Sequence, residues 1–302
     1  MTTKSRRAKE GVALVLLSAC CFGAMVLFGR WAYADGVAPA SLLFMRFVIA
    51  APILGALVLW RGSAWPKGRS ALISVLMGAI FVGNSLAYFV ALSHAPAATV
   101  VIVYFAYPAI VTVAAWVIFH ESLDTARMLA LLLALGGCVA TLGLTALGAL
   151  GGAAYALLAA GIYALYVLLA RGVAPETDPL AQAAVITAVA ATLLGGIAYG
   201  QGLSLPSSTQ GWSGVVALAV ISTVIAIAAF LAGAARLGST GAATLSAAEP
   251  VVAAILAALL LDEPLYAGIV LGAGLMVGST LLIVNSSARD KTTAEGNVHA
   301  NG

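Results

Sequence analysis

The stretch Tyr104–Pro108 (YFAYP) interrupts an apolar segment, and it returns 142 residues later as Ser246–Pro250 (SAAEP). Proline has no N–H and its ring clashes with the carbonyl four residues earlier, so each stretch predicts a helix broken near its middle. The carbonyls of Tyr104 and Ser246 are then expected to lose their helical partners. In a lipid bilayer such a carbonyl is tolerated only when it is buried in protein or faces a water-filled cavity. If the chain spans a membrane, the two matched breaks predict a central site.

The composition is that of a membrane protein. Apolar residues form 63% of the chain and charged residues 8%, and the mean hydropathy is +1.09, whereas soluble domains carry about 25% charged residues. The apolar runs are about 20 residues long and do not alternate in polarity, which favours helices over the strands of a barrel. The net charge of +3 is too small to indicate nucleic acid as a partner.

With about 20 apolar residues per span, the sequence predicts an all-α polytopic membrane protein with ten transmembrane helices. The predicted spans are 11–33, 41–60, 71–92, 97–119, 126–145, 152–171, 179–200, 212–235, 239–261 and 266–285. With the N-terminus inside, every Lys and Arg except Arg30 and Arg46 falls on the inner side, in the tails, in the loops or at a span end. Because basic loops mark the cytoplasmic side, both termini are predicted to be cytoplasmic.

The repeat divides the chain into two halves. Glu121 corresponds to Glu263 at the same offset that relates Pro108 to Pro250. Five spans per half is an odd number, so the second half is predicted to enter the membrane upside down, as an inverted-topology repeat that permits alternating access around a midplane site. The predicted parts are a cytoplasmic tail at 1–10, a five-helix repeat at 11–145, an inverted five-helix repeat at 146–285 and a cytoplasmic tail at 286–302.

Three charged residues fall within predicted spans and away from the cytoplasmic ends of those spans. Glu249 lies near the bilayer centre, where a charge costs about 2.5 to 3.5 kcal/mol, and this indicates a function. It is interpreted as a cavity-lining carboxyl that titrates or meets a cationic group, the alternative being a protonated or structural partner at the proline break. Arg46 either pairs with a substrate carboxylate or holds neighbouring carbonyls. Arg30, close to its helix end, is expected to be a snorkelling anchor.

Polar and aromatic side chains at membrane depth complete the predicted site. Asn84 and Tyr88 share one face of the third span, and polar tips at that depth need a partner or a cavity. The residues predicted to contact a solute are Asn84, Tyr88, Tyr104, Tyr107, Tyr163, Ser246, Glu249 and Arg46. Residues predicted to break helices or to act in capping and gating are Pro108, Pro250, Glu121 and Glu263.

No pattern in the sequence supports catalysis. The chain has no Gly-x-Ser-x-Gly elbow, no His-Glu-x-x-His and no Walker A loop, so a protein that is not an enzyme, without metal or cofactor, is expected. Gly268 with Gly272, and Gly274 with Gly278, have the small-xxx-small spacing of close helix packing. This spacing fits either a monomer or a weak homodimer.

The order of features in each half resembles the EamA family of the drug/metabolite transporter superfamily. A small-residue hairpin is followed by a mid-helix proline, by Glu after a long apolar run, and by a Gly-rich helix, over residues 11–285. The FMRF stretch that contains Arg46 is similar to that family's early arginine. The resemblance implies ten helices as five plus five inverted, with export of small metabolites or toxic compounds. Ile186 occupies the position equivalent to Arg46 in the second half, so the halves are not expected to bind identically.

Within the family the chain looks most similar to the YddG-type exporters of aromatic amino acids and of methyl viologen. The predicted function is a secondary active exporter in the cell inner membrane that moves small amphipathic solutes, with lipid bilayer as its surroundings and no nucleic acid as a partner. One alternative is a carrier or exchanger for another metabolite, such as a nucleotide sugar, or one working in uptake. The other is a structural or regulatory membrane subunit that transports nothing.

Overall fold

The computed structural model describes residues 3–120, 124–143 and 150–300. All regular structure within these ranges is helical. The helices are α1 (Thr3–Gly23), α2 (Met25–Ala34), α3 (Pro39–Arg61), α4 (Gly68–His94), α5 (Ala97–Tyr104), α6 (Tyr107–Phe119), α7 (Thr125–Gly143), α8 (Leu150–Ala170), α9 (Pro179–Gln201), α10 (Thr209–Ala219), α11 (Ala226–Ser246), α12 (Glu249–Leu260) and α13 (Ala267–Ala300). A π-helical turn, Val220–Ile225, joins α10 to α11.

The helices account for most of the predicted spans. In the described part of the chain, nine helical segments are long and apolar enough to cross a membrane, and a shorter apolar helix lies at Thr125–Thr141. The first predicted span consists of α1 and α2, the fourth of α5 and α6, and the ninth of the end of α11 with α12. The chain is therefore a multi-pass, all-helical membrane protein. The predicted boundary between the halves, at 145–146, lies outside the described residues.

Both proline stretches interrupt their helices without reversing them. Phe105 and Ala106 separate α5 from α6, while Ala247 and Ala248 separate α11 from α12. The backbone stays close to the right-handed helical region, with φ −67° and ψ 3° at Phe105 and φ −62° and ψ −9° at Ala247. Each span therefore keeps its direction while its ladder of hydrogen bonds is broken at mid-depth.

Successive spans run antiparallel because the connections between them are short. Their ends therefore form two faces of the bundle. On the face we call proximal, which also holds the start of α1, Ser63 after α3 donates a hydrogen bond to Asp178 before α9 (2.9 Å). On the opposite, distal face, Asp35 after α2 accepts one from the N–H of Ser208 before α10 (2.8 Å). Gly238 turns the chain sharply at the proximal face with a φ of 79°, which glycine adopts without steric penalty.

Four closely packed helix pairs hold the bundle together. Each joins a helix from before residue 144 to one from after residue 149: α1 with α11, α3 with α9, α4 with α8, and α7 with α13. Small residues permit these approaches, because they let helix backbones come close together. A Cβ on Gly272 of α13 would lie 2.9 Å from the carbonyl oxygen of Gly137 on α7. At this position, the small-residue face of α13 packs against α7 of the same chain.

Gly152 tests this packing. A Cβ there would lie 2.9 Å from the backbone nitrogen of Ala95 and 3.0 Å from the carbonyl oxygen of Ala91, at the end of α4. We expect Gly152→Ala to destabilise the bundle by about 1 to 3 kcal/mol, because backbone atoms cannot move aside as a side chain would. Thermal unfolding in detergent should show a lower Tm than the wild type.

The neighbouring Gly151 provides a matched control, because a Cβ there meets nothing within 4 Å. Gly151→Ala makes the same chemical change in the same helix turn and should leave Tm unchanged or raise it slightly through helix propensity. Equal Tm values for the two variants would contradict the proposed close contact between α4 and α8.

Candidate binding cavity

Two connected cavities open between the spans. The larger, which we call the vestibule, has a volume of about 550 Å³ and reaches the proximal face at Arg171 and Pro179. The smaller, which we call the deep pocket, has a volume of about 220 Å³. Tyr107, Tyr163 and Glu249 line both, so the two are continuous. The vestibule alone lies within the range of roughly 300 to 1,000 Å³ that is usual for small-molecule sites.

A cluster of five tyrosines from α4, α5, α6 and α8 lines the deep pocket, and three of them also line the vestibule. The ring of Tyr104 lies 5.0 Å from that of Tyr88 in an edge-to-face arrangement and 5.7 Å from that of Tyr163. Tyr107 meets Tyr163 edge to face at 4.8 Å. Tyr166, one turn further along α8, stacks on Tyr163 at 5.3 Å with an angle of 11° between the rings. These distances are those of favourable aromatic pairs.

Asn84 fixes the inner end of this tyrosine cluster. Its side-chain nitrogen donates a hydrogen bond to the carbonyl of Ala159 on α8 (2.9 Å) and makes a longer contact with the hydroxyl of Tyr104 (3.5 Å). The hydroxyls of Tyr88, Tyr107 and Tyr163 have no hydrogen-bond partner within the described residues. These hydroxyls border the cavity, where a solute or water can satisfy them.

Arg46 lines the deep pocket. The residue is only 5% exposed, and its Nε donates a hydrogen bond to Oγ1 of Thr223 in the π-helical turn (2.8 Å). Its Nη2 makes a longer contact with the carbonyl of Ser222 (3.4 Å). Ile186, at the equivalent position of the second half, lines the same pocket with an apolar side chain. Among the residues that line the deep pocket, only the first half therefore supplies a guanidinium.

Glu249 is the acidic residue that lines both cavities. It is the first residue of α12, directly after the second interruption. Within the described residues, no side chain or backbone group forms a hydrogen bond or ion pair with its carboxylate. Arg46 shares the deep pocket but does not pair with it. The carboxylate is therefore available to a cationic group that enters the cavity.

An ion pair closes the bundle at the distal face. Nη2 of Arg30 lies 3.3 Å from Oε1 of Glu263 and 2.6 Å from the carbonyl oxygen of Ala95. The Glu263 carboxylate also accepts the N–H groups of Ala97 (2.9 Å) and Ala98 (3.3 Å) at the start of α5. We call these contacts the distal latch. Arg30, expected to be a snorkelling anchor near its helix end, contacts these two partners at the distal face with its side chain 29% exposed.

A second contact ties the distal loops together. Asp35 accepts hydrogen bonds from the N–H groups of Ser207 (2.6 Å) and Ser208 (2.8 Å). Hydrogen bonds from the backbone of Ser208 and from Ser207 hold the pKa of the Asp35 carboxyl below its ordinary value. The vestibule thus reaches the proximal face, while these two sets of contacts join the loops of the distal face.

The structure brings together seven of the eight predicted contact residues at the deep pocket and the tyrosine cluster. The eighth, Ser246, lines the vestibule and donates back to the carbonyl of Ala242 (3.0 Å). Pro108 also lines the vestibule, whereas Pro250 is buried and lines neither cavity. Glu263 lies in the distal latch, and Glu121 falls outside the described residues.

Sequence reasoning missed several residues that shape the cavity. Ser222 and Thr223 hold Arg46, and their signal was a pair of hydroxyls inside the apolar run VISTVI. The missed lining residues include Phe22, Phe47, Phe81 and Gln182. Across the part of the chain with described positions, no group of three or more His, Cys, Asp or Glu side chains could hold a metal ion.

A sequence profile of the EamA-like transporter family matches residues 9–143 and again residues 150–285. The chain belongs to the EamA-like transporter family. The family resemblance drawn from the two proline stretches is thereby confirmed. Membership indicates a transporter and not an enzyme.

Individual relatives agree with the assignment as a transporter. The chain is 28% identical over 289 residues to the uncharacterized transporter YcbK of Bacillus subtilis (strain 168), covering 90% of this chain and 92% of that protein. It is 29% identical over 144 residues to the uncharacterized transporter YwfM of the same organism, covering 48% of each. A solved crystal structure with 20% identity has a TM-score of 0.65 over 93% of this chain and 98% of that chain, and shares its fold.

The distal latch should control how tightly this EamA transporter closes. Glu263→Ala removes the partner of Arg30 and the cap of α5. Because charge-assisted hydrogen bonds are worth about 1.5 to 3 kcal/mol, we expect the closed distal face to lose a free energy of this size. A loss of that size should raise the population open at the distal face roughly tenfold or more. Spin labels at the exposed distal positions Ser93 and Tyr266, in a protein with its native cysteines replaced, would report longer distances by pulsed EPR.

Glu176, an exposed carboxylate on the proximal face, provides the matched control. Glu176→Ala removes the same group at the other end of the bundle and should leave the distal distances as they are in the wild type. Unaltered distances in Glu263→Ala would show that the latch does not hold the distal face closed.

Proposed function

We propose that the protein is a secondary active exporter that moves small amphipathic solutes out across the cell inner membrane by alternating access. Aromatic amino acids are the main proposed substrates, and cationic drugs such as methyl viologen are a second class. The observation that carries the proposal is a cavity walled by tyrosines, open at one face of the bundle and latched at the other. With the proximal face cytoplasmic, as the basic loops predict, this arrangement is an inward-open carrier.

The tyrosine cluster supports aromatic substrates. Tyr163 stacks on Tyr166 beside both cavities, so a planar solute can join an existing stack. Each good aromatic pair adds about 0.5 to 1.5 kcal/mol beyond the burial of apolar area. The unpartnered hydroxyls of Tyr88 and Tyr107 offer hydrogen bonds to the polar end of the solute.

Glu249 supports the cationic part of the proposal. A carboxylate without a protein partner at membrane depth is a functional group by default. It attracts the ammonium of an amino acid or the charge of a cationic drug, and it exchanges protons if transport is coupled to a pH gradient. The tyrosine cluster and Glu249 thus recognise opposite ends of an amphipathic cation or zwitterion.

Helix pairing supports the inverted repeat and alternating access. Exchange of the two five-span halves turns the pair α1–α11 into the pair α8–α4, and it leaves α3–α9 and α7–α13 as they are. A bundle whose main contacts are unchanged by this exchange can close at either end in the same way. The distal latch then has the role of the outer gate in the inward-open form.

Flux measurements test the proposal. Proteoliposomes loaded with labelled tryptophan, phenylalanine, leucine, alanine or methyl viologen should release the aromatic amino acids and methyl viologen severalfold faster than the aliphatic ones, because aromatic pairs add binding energy. The orientation of the protein must be assigned before rates are compared, since the sign of the flux separates export from uptake. Absence of flux for every compound would contradict transport of this substrate class.

Substitutions of two tyrosines test whether the tyrosine cluster causes this preference. Tyr163→Leu removes the ring that stacks on Tyr166 and should reduce the preference for aromatic over aliphatic solutes. Tyr199, 67% exposed on the outer surface of the bundle, is the control, and Tyr199→Leu should leave the preference intact. If the tyrosine cluster binds the solute, the preference for aromatic solutes falls in Tyr163→Leu and not in Tyr199→Leu. Equal preferences in the two variants would contradict this role.

Proton coupling is tested at Glu249. We expect an imposed pH gradient to change the wild-type flux severalfold and to have no effect on Glu249→Gln, because glutamine has the same shape and does not titrate. Glu176→Gln, the same change at an exposed site, should keep the gradient response. A full gradient response in Glu249→Gln would show that proton coupling does not depend on Glu249.

A further inference from the structure

Arg46 is held in one orientation by the π-helical turn Val220–Ile225. Oγ1 of Thr223 donates its own hydrogen to the carbonyl of Leu218 (2.9 Å), so its lone pairs are left to accept from Nε of Arg46 (2.8 Å). The hydroxyl of Ser222 donates to the carbonyl of Cys21 on α1 (2.6 Å) and anchors the turn. π-helical turns are rare in proteins, and those that occur often lie at functional sites.

Two aromatic rings lie beside the guanidinium. Its central carbon lies 4.9 Å from the ring centre of Phe47 and 5.8 Å from that of Phe89. Cation–π contacts of this length stabilise the charge without neutralising it. The side chain is thereby held by neutral groups alone, since no carboxylate lies within ion-pair distance of it in the described chain.

The third nitrogen of Arg46 faces the deep pocket without a partner. Within the described residues, nothing accepts a hydrogen bond from Nη1, and this atom is not among the fully enclosed ones. An arginine side chain stays protonated in proteins and pairs with carboxylates through its parallel N–H groups. A buried charge with one open edge on a binding pocket therefore offers a site for an anion.

We infer that the deep pocket contains a carboxylate-binding subsite formed by Arg46, with Thr223 as its positioning residue. The inference rests on the proposed function, because it requires the solute to occupy this pocket. The solute carboxylate binds Nη1 of Arg46, and its ring lies among the tyrosines. Glu249 on α12 faces the same pocket and meets the ammonium group. The subsite thus selects zwitterionic amino acids over the corresponding amines.

Tryptophan and tryptamine, which differ by the carboxylate, provide the test. Thr223→Val keeps the shape of the side chain and removes the acceptor that orients Arg46. Because a hydrogen bond to a charged group is worth about 1.5 to 3 kcal/mol, the KM for tryptophan should rise roughly tenfold or more, while the KM for tryptamine and both values of kcat stay within about twofold. Thr223→Ser, which retains the hydroxyl, should behave as the wild type.

Arg46→Gln should abolish the preference for tryptophan over tryptamine. If that variant fails to fold, the pair Thr223→Val and Thr223→Ser still decides the question. Equal changes in the two KM values, or no change in either, would overturn the subsite and leave export standing.

Equilibrium binding of the same two compounds to the purified protein in detergent separates the two proposals. Tryptophan binding that weakens in Thr223→Val, in a protein that transports neither compound, would support the subsite and contradict export. Failure of the wild type to bind either compound would overturn both.

Discussion

A proline inside a membrane helix leaves a carbonyl that protein or a cavity must satisfy, and the centre of this molecule is built on that constraint. The residues that open the helices after the two breaks are Tyr107 and Glu249. Both line the vestibule and the deep pocket. The breaks therefore place one polar side chain from each half of the chain at the same cavity, and the near-helical backbone between the segments keeps the spans continuous across the membrane.

Much of the central site could be predicted from the sequence, because it depends on depth along a helix. Residues near the middle of a span, such as Asn84, Tyr104 and Glu249, lie at a common level whichever way the helices pack, so their convergence follows from span positions alone. Contacts between loops and helices distant in sequence could not be predicted in this way. Arg30 and Glu263 are 233 positions apart, and their ion pair depends on the packing of α2 beside α12.

The π-helical turn shows a second limit of sequence reasoning. The sequence predicts a span at 212–235, and its apolar pattern gives no sign of the extra residue that the π-helical turn contains. Only the structure shows that Ser222 and Thr223 face α1 and Arg46. A hydroxyl pair in an apolar run is a weak signal on its own, because Ser and Thr also satisfy themselves by bonding to the preceding turn, as Ser246 does here.

Arg46 and Arg30 have different kinds of partners, and the differences agree with their proposed roles. Arg46 has fixed neutral partners, which suits a group that must present one edge to a solute without moving. Arg30 has a carboxylate partner, yet its Nε is enclosed and lacks a partner within the described residues. An unsatisfied buried donor costs about 1 to 3 kcal/mol, so the distal latch is held below its maximum strength. A gate that must open in every transport cycle has to be weak in this sense, since a fully satisfied latch would favour one conformation too strongly for the other to be populated.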